Sequence, residues 1–164
     1  MDFKAMFSAT WKKAATIAVV WGLIVGVLSL LPTFVPFVGG ILSLGVSAVL
    51  GIIGLVVLVA VGFFGAKGFA KGAKAEMASA AVSGGIAGIT YGIISGIISL
   101  IFAIIGISIR AEAAGLSGDA MGVGAGAVGI GITLVASVIA IPFAAVFGFV
   151  LAAIGGIIYS AMQK

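Results

Sequence analysis

The stretch Ala136-Ser-Val-Ile-Ala-Ile-Pro-Phe-Ala-Ala-Val-Phe-Gly-Phe-Val-Leu-Ala-Ala-Ile-Gly-Gly-Ile-Ile-Tyr-Ser160 decides how many times this chain crosses a membrane. It belongs to an apolar region, Val123 to Tyr159, that could form one overlong helix or two short ones, with Pro142 near the middle. Ala136, Ala140, Ala144, Gly148, Ala152, Gly156 and Ser160 recur at every fourth position. Residues i and i+4 share a helix face, so an unbroken stripe of this length belongs on one continuous helix. At 1.5 Å per residue such a helix covers about 36 Å, enough to cross a core of ~30 Å with some tilt. Pro142 then bends the helix without ending it, because neighbouring helices in a bilayer can satisfy the freed carbonyl. The Gly-rich run Gly122 to Gly131 becomes the looser outer beginning of this span.

Working outward, composition agrees with a bilayer as the solvent. Of 164 residues, 63% are hydrophobic and 7% are charged, against about 25% charged in a soluble domain. Four acids and eight bases cannot cover the surface of a soluble fold of this length. The same figures exclude disorder, which needs low hydrophobicity and high charge. Apolar runs predict spans at Ala14–Leu31, Ile41–Gly65, Ala80–Ile109 and Val128–Ser160, each near or above the ~18 residues that a crossing helix needs. Residues 1–13 form an amphipathic interfacial segment, with Phe3, Met6, Phe7 and Trp11 on one side and Lys4, Ser8 and Lys12 on another. The remainder, 14–164, is the four-span domain. The first apolar run is longer than a signal-peptide core of ~7–15 residues, and it reads as a retained helix.

The connections orient the chain. Pro32 and Pro36 bracket an uncharged turn that ends at Gly39-Gly40, and no helix is expected to continue through both prolines. Lys67, Lys71, Lys74 and Glu76 lie between spans 2 and 3; Arg110 ends span 3, and Glu112 and Asp119 follow it. Arg110 is expected to cap the end of the third helix, and Ser117 or Asp119 the start of the fourth. Four spans gather seven lysines (4, 12, 13, 67, 71, 74 and 164) on one side and leave Arg110 on the other. The positive-inside rule places the lysines, and both termini, in the cytoplasm of a multi-pass cell-membrane protein. The net charge of +4 is accounted for by this placement, so no nucleic-acid partner is expected.

Two further patterns concern packing. Trp21-Gly-Leu-Ile-Val-Gly-Val-Leu-Ser-Leu-Leu31 aligns without gaps on Tyr91-Gly-Ile-Ile-Ser-Gly-Ile-Ile-Ser-Leu-Ile101, with five of eleven positions identical and five more conservative. Two spans separate the copies, which implies two parallel-repeat helical hairpins. The alignment superposes Ala14, Ala18, Gly22 and Gly26 on Gly84, Gly88, Gly92 and Gly96. Helices in lipid associate through close van der Waals contact, which small residues at every fourth position permit. The candidate helix-packing residues are thus Ala18, Gly22, Gly26, Gly84, Gly88, Gly92, Gly96, Ala144, Gly148, Ala152 and Gly156. Packing inside one bundle and oligomerisation through a spare stripe both use such faces.

Chemistry is sparse. The chain has no His, Cys or Asn, so the usual metal ligands, the commonest general base and every thiol nucleophile are missing, and no Ser/His/Asp set can form. No cofactor and no enzymatic activity are expected. The hairpins superficially resemble proton-translocating rotor subunits, but Asp2, Glu76, Glu112 and Asp119 all lie at span ends or connections rather than mid-membrane. The run Gly65-Ala-Lys-Gly-Phe-Ala-Lys-Gly-Ala-Lys74 lacks the order of a phosphate-binding loop. If the second helix continues outward, Lys67, Lys71 and Lys74 share a face suited to lipid headgroups, or serve as orienting charge alone. Thr90, Ser95, Ser99, Thr133 and Ser137 are expected to bond their own helix carbonyls.

From Ala14 to Ile109, the order of span, Pro-containing turn, span, basic connection and Gly-x3-Gly span resembles small uncharacterised Gly-rich multi-span membrane proteins common in archaea. That resemblance implies no particular activity, and the fourth span departs from it. The expected fold is an all-α, polytopic transmembrane four-helix bundle. The expected role is a structural or accessory membrane subunit that self-associates, or packs on partner membrane subunits, through small-residue faces. An oligomeric pore or transporter for a small solute is the alternative.

Overall fold

A computed structural model of the chain describes residues 3–34, 39–70, 76–116 and 120–163; the side chains of 32–34, 39–44, 46, 110, 111, 113–116 and 120–130 lie outside the description. Four helices account for nearly all of it: α1 (Phe3–Phe34), α2 (Gly39–Ala70), α3 (Met77–Leu116) and α4 (Ala120–Ala161). Each contains a stretch long and apolar enough to cross a membrane. The protein is an all-α, four-helix, multi-pass membrane protein.

The helix around Pro142 is continuous, so the last apolar region is one span. Pro142 is exposed while Ile141 beside it is half-buried against α3, so the ring points away from the seam. The other ends differ from the sequence reading in instructive ways. The first helix includes Pro32 in its last turn and ends at Phe34; Pro36 lies outside the described residues. The second runs past Gly65 to Ala70 and carries Lys67 with it. The third does not end at Arg110 but continues to Leu116. Ala111, Glu112, Ala113 and Ala114 follow the arginine, and all are good helix formers, so the first stop signal is Gly115. Arg110 is therefore an interior residue of α3 and not its cap; Ser117 and Asp119 lie outside the described residues.

Close contacts fix the directions. Gly22 and Gly26 meet Ile98 and Phe102, so α1 and α3 run parallel. Gly84, Gly88 and Gly92 meet Ala152, Gly148 and Ala144, so α3 and α4 run antiparallel. Around the bundle the order is α1, α2, α4, α3. Among the described residues α2 also touches α3 across the centre, whereas α1 and α4 do not meet. The lysine-bearing start of α1 and end of α2 share one end of the bundle with the start of α3 and the end of α4.

Most large apolar side chains point outward: Ile132, Val135, Phe143, Val146 and Phe147 on α4 are all exposed. In water such a surface would cause aggregation; in a bilayer it is the lipid-facing surface. The interior is correspondingly poor in bulk. Its fully buried apolar residues are mostly alanines, with Ala18, Ala66, Ala80, Ala87 and Ala152 at 0% exposure. Small side chains inside and large ones outside invert the soluble pattern, as close helix contact in lipid requires.

Candidate functional site

The small-residue faces of three helices are the features from which a site would be built. On α3, Gly84, Gly88 and Gly92 are buried and Gly96 is half-buried; on α4, Gly148, Ala152 and Gly156 are buried and Ala144 is half-buried. The two sets face one another. A Cβ on Gly88 would fall on the carbonyl oxygen of Gly148, and a Cβ on Gly148 would fall on the carbonyl oxygen of Gly88. A Cα hydrogen of each glycine therefore points at the other's carbonyl, a weak hydrogen bond of about 0.5–1 kcal/mol that recurs where helix backbones touch. Likewise, Gly156 abuts the Ala80 carbonyl, and a Cβ on Gly92 would lie 2.7 Å from the Ala144 carbonyl carbon. This seam is closed backbone to backbone.

On α1, Ala14, Ala18, Gly22 and Gly26 are buried. Their neighbours are different in kind: a Cβ on Gly22 would lie 3.0 Å from Ile98 Cδ1, and one on Gly26 would meet the Phe102 ring. Glycine here makes a socket for a side chain, and the seam is closed knob into hole. The superposed stripes thus make non-equivalent contacts, Gly22 with α3 and Gly92 with α4.

Three parts of the packing surface escaped the sequence reading. Met6 and Thr10, at 2% and 0% exposure, extend the buried four-residue period of α1 backward to its first turns. Met6 therefore turns inward while Phe3, Phe7 and Trp11 stay exposed. The Thr10 hydroxyl donates to the Met6 carbonyl at 2.9 Å, which lets a polar side chain lie in the seam. On α2, Gly62 and Ala66 are buried and Ala70 half-buried, and Gly62 sits against the Ala152 carbonyl. The spacing Gly62-x3-Ala66-x3-Ala70 was the available signal. Ser83 is buried, its hydroxyl donating to Ala80 O at 3.1 Å, and its own carbonyl oxygen lies 3.4 Å from where a Cβ on Gly65 of α2 would stand. Thr90, Ser95 and Ser137 donate to Ile86, Gly92 and Thr133 carbonyls in the same way.

At the lysine-bearing end, Phe63 meets Tyr159 edge to face at 5.2 Å between centroids, and the Gln163 amide donates to the Tyr159 hydroxyl at 2.6 Å. Lys67 is exposed there; Lys71 and Lys74 lie outside the described residues.

The outer halves of two helices present small residues to the surroundings. Ala136 and Ala140 continue the α4 stripe but are exposed, and so are Gly45, Ala48 and Gly51 on α2. A Cβ added to Gly45, Gly51 or Gly131 would meet no atom within 4 Å. No family model matches the chain, and no curated protein or solved structure is significantly similar to it.

Proposed function

We propose that this membrane protein is a structural or accessory subunit that associates laterally, with copies of itself or with partner membrane subunits, through the outer half of α4. One observation carries the reading. The α4 stripe is continuous from Ala136 to Ser160, yet α3 and α2 fill only the part from Ala144 onward and leave Ala136 and Ala140 open. A helix face that can accept a close neighbour, and lacks one in the single chain, supports association in the bilayer plane. The glycines of α1 and α3 are occupied within the chain and take no part in this reading.

Association is tested with Ala136→Leu/Ala140→Leu, which fills the open part of the stripe and leaves the closed seams untouched. By native mass spectrometry in mild detergent, the unaltered chain is expected as an oligomer and the double variant as a monomer with unchanged helicity. A monomeric unaltered chain, or a variant that assembles as before, overturns the reading. The orientation proposed is cytoplasmic for both termini, from the lysine distribution. Because the chain has no cysteine, single replacements Glu76→Cys and Glu112→Cys can be labelled in intact cells with an impermeant maleimide. Labelling is expected at position 112 and not at 76.

A pore for a small solute is the second reading. The contact of Gly65 with Ala87, where a Cβ would lie 2.7 Å from the Ala87 Cβ, closes the centre between α2 and α3. A conducting path would therefore run between copies, and flux in liposomes should vanish with the same double variant.

A further inference from the structure

Between α1 and α2, at the lysine-bearing end, lies a cleft of about 310 Å³ lined by Lys12, Lys13, Thr16, Ile17 and Phe64. We propose that it holds one anionic phospholipid, with the phosphate on Lys12 and Lys13 and the start of an acyl chain along Ile17 and Phe64.

The two halves of the cleft have different chemistry, and their order along the helices matches that of a lipid. Lys12 and Lys13 are exposed and adjacent at the outer rim. Lys12 Nζ lies 5.9 Å from the centre of the Trp11 indole, a ring of the type that settles at the headgroup layer. Lys13 reaches across to α2, where a Cβ on Gly68 would lie 3.7 Å from its Nζ. That is ordinary contact distance, and the tighter neighbour of Gly68 is the Ala9 carbonyl oxygen at 3.3 Å, so α1 and α2 lie close together at this level. Lys67, three residues beyond Phe64 on the same helix, adds a third cation near this level. Among the described residues no carboxylate pairs with Lys12 or Lys13, and the Thr16 hydroxyl is committed to the Lys12 carbonyl at 2.9 Å. Two lysines with no described carboxylate beside them suit an anion better than a zwitterion.

One turn further into the membrane the lining becomes apolar. Ile17 is half-buried and Phe64 is 44% exposed. A free anion would leave that floor without a partner, whereas a lipid covers both parts at once. Lysine stems can lie along apolar surface while the ammonium stays at the phosphate level, so the geometry needs no rearrangement. These residues are distinct from the face carrying Lys67, Lys71 and Lys74 that the sequence singled out, except that Lys67 borders both.

The test is native mass spectrometry of the detergent-purified chain titrated with dioleoyl phosphatidylglycerol or dioleoyl phosphatidylcholine. The phosphatidylglycerol adduct should form at least about tenfold more tightly, from two lysines close to one phosphate. Lys12→Gln/Lys13→Gln should abolish that preference, while Lys4→Gln/Lys164→Gln, which removes the same charge elsewhere, should keep it. Thr16→Trp, which fills the cleft and alters no charge, should lose the adduct with either lipid, and inorganic phosphate should not displace the lipid. Equal retention of the two lipids by the unaltered chain overturns the proposal. So does an equal loss of preference in the two double variants, since diffuse attraction would then explain it.

Discussion

The seam between α3 and α4 and the seam between α1 and α3 are built from the same sequence pattern and closed by different physics. In the first, glycine faces glycine and alanine across two backbones. In the second, glycine faces the side chains of Ile98 and Phe102. A backbone wall cannot retreat without moving a whole helix, whereas a side chain can change rotamer. The small-xxx-small spacing therefore marks where a helix can be approached, and the neighbour determines how much error the contact tolerates. The α4 stripe adds a third case, in which the same spacing at Ala136 and Ala140 has no neighbour within the chain.

The largest expected effect is at the backbone seam. Gly88→Leu must push α3 and α4 apart, because the first added carbon already falls on the Gly148 carbonyl oxygen. Overpacking a core against movable side chains costs about 1–3 kcal/mol, and a fixed wall should exceed that range. The expected result is loss of the folded, monodisperse protein in mild detergent. A Gly88→Leu protein with unchanged elution and thermal stability would show that the seam is not the closed contact described above.

At the side-chain seam, Gly26→Ala should cost less, about 1–2 kcal/mol, because the obstacle is the Phe102 ring. Combining it with Phe102→Leu should recover part of that loss, a coupling measurable as a double-mutant cycle on thermal stability. At Gly88 the nearest obstacle is the Gly148 carbonyl, which no truncation of a side chain removes. Additive losses for Gly26→Ala and Phe102→Leu would remove the distinction between the two seams. Gly22→Ala should be milder still, since the Ile98 atoms stand 3.0–3.3 Å from the added carbon and need move only a few tenths of an ångström.

Much of this was legible in the sequence, and the boundary is physical. Membrane residence follows from composition, and the four spans follow from apolar run length together with the unbroken period around Pro142. The buried faces of α1, α3 and α4 follow from the position of glycine and alanine. Pairing does not follow, because a small residue specifies closeness and not identity: nothing in Gly22 distinguishes Ile98 of α3 from a residue of α2. Met6 and Thr10 were missed for the complementary reason. They are buried by where they lie on the period, and their size gives no sign of it. The extension of α3 past Arg110 is hidden in the sequence because a charge at the end of an apolar run resembles a stop, although the helix-forming run Ala111 to Ala114 follows it. The lysine cleft depends on Lys13 and Gly68 coming together from two helices, which one helix's periodicity cannot show. Lys67, Lys71 and Lys74 carried the lipid-facing signal in the sequence, whereas the cleft is lined by Lys12 and Lys13 above an apolar floor.

The smallest expected effect has the opposite sign, and it separates glycines kept for contact from glycines without one. At Gly51 an added Cβ meets nothing within 4 Å, so Gly51→Ala gains helix propensity without any clash. Removing a flexible glycine from a helix interior is worth up to about 1 kcal/mol. The single chain should therefore gain a few degrees in thermal unfolding under conditions where it is monomeric. If the same substitution instead lowers stability only where the protein is assembled, Gly51 belongs to a contact between copies, and the open surface extends from α4 to α2. The sign of that one change, read at low and at high protein-to-detergent ratio, tells a spare glycine from a docking glycine. Neither outcome is available at Gly88, where the contact is already made within the chain.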